Sequence, residues 1–134
     1  MFFKNNKNQN NDLIKVTALL IHAAKIDENF TIEEEKIIEE TLLNLGANKE
    51  NVKQIIIKSK KIEDKANQIL EFTREVKNME ENNKIKIIET LWRIIYSNKD
   101  ADIYETSLMR RLAGLLYIDN KTMGDIKEKI KNNS

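Results

Sequence analysis

The chain contains no cysteine, no proline, one histidine and only three glycines in 134 residues. Without cysteine there can be no disulfide, no thiol nucleophile and no thiolate metal ligand. One histidine is too few for the zinc sets that draw on several His or Cys side chains. An excess of either charge is also missing: 23 basic residues face 22 acidic ones, a net charge of +1. A dedicated nucleic-acid binder is usually strongly basic, so this balance argues against one. Long apolar runs are absent too. Ala18-Leu19-Leu20-Ile21 is interrupted by His22, far short of the roughly 20 residues that cross a bilayer. Met1-Phe2-Phe3 passes at once into Lys4-Asn5-Asn6-Lys7, which is no signal-peptide core. The expectation is a cytoplasmic chain without a membrane span, with Phe2 and Phe3 leaving room only for a peripheral contact.

What is present is isoleucine, leucine, lysine and glutamate, with 34% charged and 40% hydrophobic residues. Such a composition, free of chain-breakers, favours helices with short connections. The reading is all-α: a tail over residues 1–10, then one domain over 11–134 of about seven helices. The stretch from Lys84 to Leu116 is its centre. Ile85, Ile87, Ile88, Leu91, Trp92, Ile94 and Ile95 cover most sides of one helix, so neighbours must surround it. Leu13, Ile14, Val16, Leu20, Ile21 and Ala24 do the same for a first helix over about Asp12 to Ile26, capped by Asn10 or Asn11.

Thr31 and Glu34 have the spacing of a capping box, opening a second helix that Gly46 stops. Asn48 begins a third with Val52, Ile55 and Ile56 inward. Asp64 is read as starting a fourth, with Ala66, Ile69, Leu70, Thr73 and Val76 as its inner stripe. Asp102 with Glu105 repeats the capping spacing before a sixth helix that uses Ile103, Leu108, Leu112, Leu115 and Leu116. Asp119 or Asn120 caps a seventh, with Met123, Ile126 and Ile130 inward.

Two helix–loop–helix units can be superposed along the chain. Asp27 and Glu34 are seven apart, as are Asn98 and Glu105, and Phe30 corresponds to Ala101. Each unit alone would leave an apolar face bare, so the expected architecture packs their two long helices together. The segments that carry the repeat are Ala24-Lys25-Ile26-Asp27-Glu28-Asn29-Phe30 through Glu34, and Leu91 to Asn98 followed by Asp102-Ile103-Tyr104-Glu105 and Arg110 to Leu116. On these residues the chain resembles the TerB-like family, named for a tellurite-resistance protein and related to the N-terminal domain of the co-chaperone DjlA. Phe72-Thr73-Arg74 also matches a triplet of a bacterial branch of that family. The likeness spans about residues 12 to 130. Glu28 and Lys99 stand where the family has Gly, and Asn98 where it has Asp.

Candidate sites follow from the charges. Asp27, Glu34, Asp102 and Glu105, with Asp100 nearby, could offer oxygen ligands to a hard cation. They do not make an EF-hand: counted from Asp27, the sixth and twelfth positions are Ile32 and Ile38 rather than Gly and Glu. Helix capping accounts for Glu34, Asp102 and Glu105 without an ion. Residues 27–40 hold seven acids and one lysine, and residues 49–61 hold five lysines and one acid. Such blocks either steer a partner or attract each other weakly across the surface. Glu33, Glu35 and Tyr104 are the candidate partner-binding residues.

His22, with no second His or Cys beside it, reads as a core or edge residue, and no His–carboxylate pair, phosphate loop or serine-nucleophile setting is legible. Arg110 and Arg111 point to different sides of a helix, one of them expected to meet an internal carboxylate. With no catalytic residues and no cofactor implied, the resemblance implies a non-enzymatic interaction or adaptor module with a protein partner, in a stress-response or membrane-associated complex. The alternative is a cation-binding regulatory domain using the acidic loops. A homodimer is left open by any unpaired apolar face.

Overall fold

A computed structural model of the chain describes residues 6–25, 30–65, 69–97 and 103–133, with side chains from Asp12 onward except that of Ile103. Those residues form seven helices: α1 (Asn6–Ala24), α2 (Ile32–Asn44), α3 (Lys49–Lys65), α4 (Leu70–Lys77), α5 (Glu81–Tyr96), α6 (Ile103–Leu115) and α7 (Asn120–Asn132). The all-α architecture and the number of helices are as the periodicity predicts.

Two helices run through the interior. In α1, Leu13, Val16, Ala18, Leu19 and Leu20 are fully buried, and in α5 so are Ile87, Ile88, Leu91, Ile94 and Ile95. They pack on one another, while α3, α4 and α2 cover the remaining sides of α1, and α7, α2 and α4 those of α5. α6 lies against α4. Both helices start earlier than their apolar patterns suggest. α1 begins at Asn6, so Asn10 and Asn11 lie inside it rather than capping it, and α5 begins at Glu81 rather than Lys84. Nothing in either polar lead-in breaks a helix, and extending a formed helix is far cheaper than nucleating one.

Helix ends follow local chemistry. Thr31 Oγ1 accepts from the Glu34 amide at 3.1 Å, and the Thr31 amide donates to Glu34 Oε1 at 2.8 Å. At the far end of α2, Gly46 adopts φ 107°, which lets Ala47 N–H reach Leu42 O and Gly46 N–H reach Leu43 O. This is the left-handed stop that the glycine announced. α6 closes with the same pair of bonds, Ile118 N–H to Ala113 O and Tyr117 N–H to Gly114 O, but its left-handed residue is Tyr117 at φ 58°. A side chain there is strained, and the Tyr117 ring lies 4.7 Å from the Lys77 ammonium. The Lys84 ammonium, almost wholly buried, donates to Leu116 O at 3.2 Å and so neutralises the carbonyl end of α6. Asp119 caps α7, its Oδ1 accepting from the Thr122 amide at 2.7 Å. These bonds hold the Asp119 carboxyl below its ordinary value.

The fourth helix departs from the sequence reading. Asp64 lies in the last turn of α3 instead of opening α4, and Ala66 falls outside the described residues. Ile69, Phe72, Thr73 and Val76 form the inner stripe at i, i+3, i+4 and i+7, whereas Leu70 is 43% exposed. Leu70 is one residue, or about 100°, away from that stripe. Phe72 takes the core position because one short helix cannot bury both faces.

Buried hydroxyls join the helices. Thr41 Oγ1 on α2 and Thr90 Oγ1 on α5 are 2.8 Å apart, and each lies near a carbonyl of its own helix. One hydroxyl can donate to the other, whose own proton goes to that carbonyl. Ser59 Oγ on α3 approaches Ile14 O on α1 at 3.0 Å. Thr17 is the exception: it is fully buried, and its hydroxyl has no partner among the described residues. A buried hydroxyl without a bond carries its full desolvation cost. Thr17→Val, close in shape, is therefore expected to stabilise the fold by about 1 kcal/mol, raising the thermal midpoint by roughly 3–5 °C. An unchanged or lower midpoint in a calorimetric scan would contradict this account of Thr17.

Candidate functional site

The acids proposed as cation ligands have separate fates. Glu34 is 1% exposed and sits in the capping box. Glu105 is buried in the first turn of α6. Asp27, Asp100 and Asp102 lie outside the described residues. Among the described residues no three His, Asp or Glu side chains come together in a way that could hold a metal.

Of the candidate partner-binding residues, Glu33 and Tyr104 are exposed, Tyr104 at 72%. Glu35 is half-buried and paired within the fold. Its Oε1 is 3.1 Å from the Lys60 ammonium, which in turn lies 5.2 Å from the centroid of the Phe30 ring. Glu39 is similarly placed 3.8 Å from Lys53. The acidic and basic blocks thus meet along the α2–α3 seam. Arg110 and Arg111 are both exposed, and neither reaches an internal carboxylate among the described residues. The reason is the core face of α6: Leu108, Met109, Leu112 and Ala113 occupy it, leaving both arginines outside.

The structure assembles a polar group that no local spacing announces. His22 in the last turn of α1 and Lys25 just beyond its end meet Glu63 and Asp64 from the last turn of α3. Glu63, about nine-tenths buried, has Oε2 3.2 Å from His22 Nδ1 and Oε1 2.6 Å from Lys25 Nζ. Lys25 also donates to Asp64 Oδ1 at 2.7 Å. A His–carboxylate pair therefore does exist, across 41 residues. Asp64 first, and then Glu63, raise the Lys25 pKa above 10.5. A raised lysine pKa contributes stability that is fully present below 10.5 and is lost as pH rises through the folded value.

Beside this clasp is a cleft of about 320 Å³ lined by Ile21, Lys25, Phe30, Lys60 and Asp64. It joins an apolar floor to charges that are already paired. A second cleft of about 490 Å³ lies between α2, α5 and α7, over Ile37, Arg93, Tyr96 and Ile130. The Arg93 guanidinium there is bonded to Glu40 at 3.0 Å. Trp92 and Tyr96, predicted as core, are buried with ring centroids 5.9 Å apart.

At the opposite end of α1, Asp12 stands beside Glu75 of α4, and Lys15 bridges to Glu75 at 3.2 Å. Desolvation first, then the hydrogen bond and repulsion from Glu75, push the Asp12 pKa up, against the pull of Lys15. A raised carboxyl pKa means that the folded state holds the proton more tightly than the unfolded chain. Its cost is therefore felt above the folded value and disappears as pH falls below 3.8. Asp12→Asn is expected to melt higher than the parent protein at pH 7 and to lose that advantage near pH 3, read from paired thermal scans. A constant difference across that range would mean that charge is not the cause.

The all-α arrangement of seven helices among the described residues is consistent with a family comparison. The family model described as tellurite resistance protein TerB matches residues 13–128. The chain belongs to the TerB family. That match runs from Leu13 in α1 to Glu128 in α7, so it reaches every helix. TerB is not a known enzyme family. No curated protein and no solved structure matches the chain. No helix among the described residues is long and apolar enough to cross a membrane.

Proposed function

We propose that this TerB-family chain is a non-enzymatic helical interaction module, an adaptor for a protein partner in a cytoplasmic stress-response complex. The observation that carries the reading is the outward side of α2. Ile32 is 76% exposed and Leu43 39%, with Glu33, Lys36 and Glu40 also exposed between them. An aliphatic residue at each end of a charged stripe is a surface suited to recognition, since apolar contact supplies affinity and charge supplies orientation. Tyr104 is a second exposed contact of the type that interfaces favour. The polar groups inside the fold serve cohesion: the Glu34 box caps the start of α2, and the Glu63 clasp ties α1 to α3.

The test is affinity capture on the full chain, comparing the parent protein with Glu33→Lys and Ile32→Ser under stress and non-stress growth. A specific partner retained by the parent and lost from both variants supports the module. Recovery of nothing specific under either condition sinks it. The competing reading, a cation-binding regulatory domain, is favoured by two buried carboxylates, Glu34 and Glu105, which follow Asp27 and Asp102 closely in the sequence. It requires a concentration-dependent rise in the unfolding midpoint with calcium, magnesium or manganese. No rise with any of the three removes it.

A further inference from the structure

The outer face of α3 carries an arrangement that the α2 surface does not explain. Lys58, Lys61 and Lys65 recur at i, i+3 and i+7, so they form one stripe. All three are exposed, and among the described residues none makes an ion pair. The lysines at the inner edge of the helix differ, since Lys53 and Lys60 are matched by Glu39 and Glu35 of α2. The nearby acid Asp64 is bonded to Lys25, and Glu50 lies about two turns away. The stripe therefore keeps its positive charge on a protein whose net charge is only +1. An isoleucine borders it on each side: Ile57 is 50% exposed and Ile62 37%. α3 packs on α1 and α2 through Val52, Ile55, Ile56 and Ser59, and the charged face is turned away from both.

We propose that this face of α3 is a docking surface for an acidic amphipathic segment of a partner protein. Carboxylates of that segment would meet Lys58, Lys61 and Lys65, and its aliphatic residues would cover Ile57 and Ile62. The layout fits such a segment better than a lipid surface. Insertion into a bilayer needs apolar residues at the crest of a helix and lysines at its flanks. Here the lysines form the crest, and the two isoleucines are roughly 140° apart around the helix. The inference rests on the interaction-module reading but places the contact on α3, so it fails or stands separately from the α2 surface.

The experiment titrates the full-length protein against a dye-labelled helical peptide of glutamate and leucine in heptads, followed by fluorescence anisotropy. Binding is expected to weaken about tenfold or more in the triple variant Lys58→Glu, Lys61→Glu and Lys65→Glu, and to fall as salt rises. The double variant Ile57→Ser and Ile62→Ser should lose several-fold even though its charge is unchanged. A control with the same charge change elsewhere, Lys86→Glu, Lys121→Glu and Lys131→Glu, should bind as the parent does, and so should Glu33→Lys. Circular dichroism melts confirm that each variant is folded. The proposal is overturned if the parent does not bind the peptide, or if the control triple weakens binding as much as the α3 triple. It is also overturned if the isoleucine variant binds unchanged. Binding of the parent to vesicles of phosphatidylcholine with about one-third phosphatidylserine, without binding to the peptide, would assign the face to lipid instead.

Discussion

Phe72→Ala is expected to lower the free energy of unfolding by about 3–5 kcal/mol, whereas Leu70→Ala should change it by less than about 0.5 kcal/mol. The two residues are neighbours on one short helix, and both are large and apolar. Their difference is one of phase. Phe72 is 1% exposed in the core between α1 and α5, so its loss removes transfer energy and leaves a cavity. Leu70 is 43% exposed and gives up little on truncation. Denaturant titrations of the two variants, with equal slopes, measure both numbers. Similar losses at the two positions would mean that α4 is rotated from the orientation described.

The second large effect concerns Glu34, where cap and cation ligand predict different results. As a cap, its side chain accepts from the Thr31 amide inside a nearly closed environment. Removing it in Glu34→Ala should cost about 1–2 kcal/mol. Glu34→Gln keeps an oxygen acceptor at the same reach and should cost less than about 1 kcal/mol. A cation ligand would behave otherwise, because glutamine removes the negative charge on which a hard cation depends. Any stabilisation by calcium, magnesium or manganese would then vanish in Glu34→Gln while metal-free stability stayed near that of the parent. Equal stabilities of alanine and glutamine variants, both far below the parent, would show that the charge matters more than the hydrogen bond.

These two positions also mark how far local reasoning reaches. The Thr31–Glu34 box was legible because its bonds span three residues, and the spacing alone places both groups within reach. Gly46 was legible because few other residues accept a positive φ without strain. Tyr117, which takes the equivalent position after α6, carries no such sign in its side chain. The inner face of α4 is not legible in the sequence, since Ile69, Leu70, Phe72 and Val76 allow more than one apolar stripe on a helix this short. Only the surfaces of α1 and α5 select among them. The ion pair of Glu35 met a similar limit: nothing near it in the chain shows that α3 brings Lys60 to it.

The chain's own order of residues settled the helices, most of their ends, the apolar stripes of α1, α5 and α7, and through the loop–helix repeat the TerB kinship. All of these depend on contacts within a turn or two, where covalent connection sets the distance. Packing decided the rest: which side of α4 is inside, that His22 and Lys25 share Glu63, and that the inner lysines of α3 are matched by α2 while Lys58, Lys61 and Lys65 are not. Those pairs join residues far apart along the chain, and their separation is fixed only when α1, α2 and α3 come together around a common core.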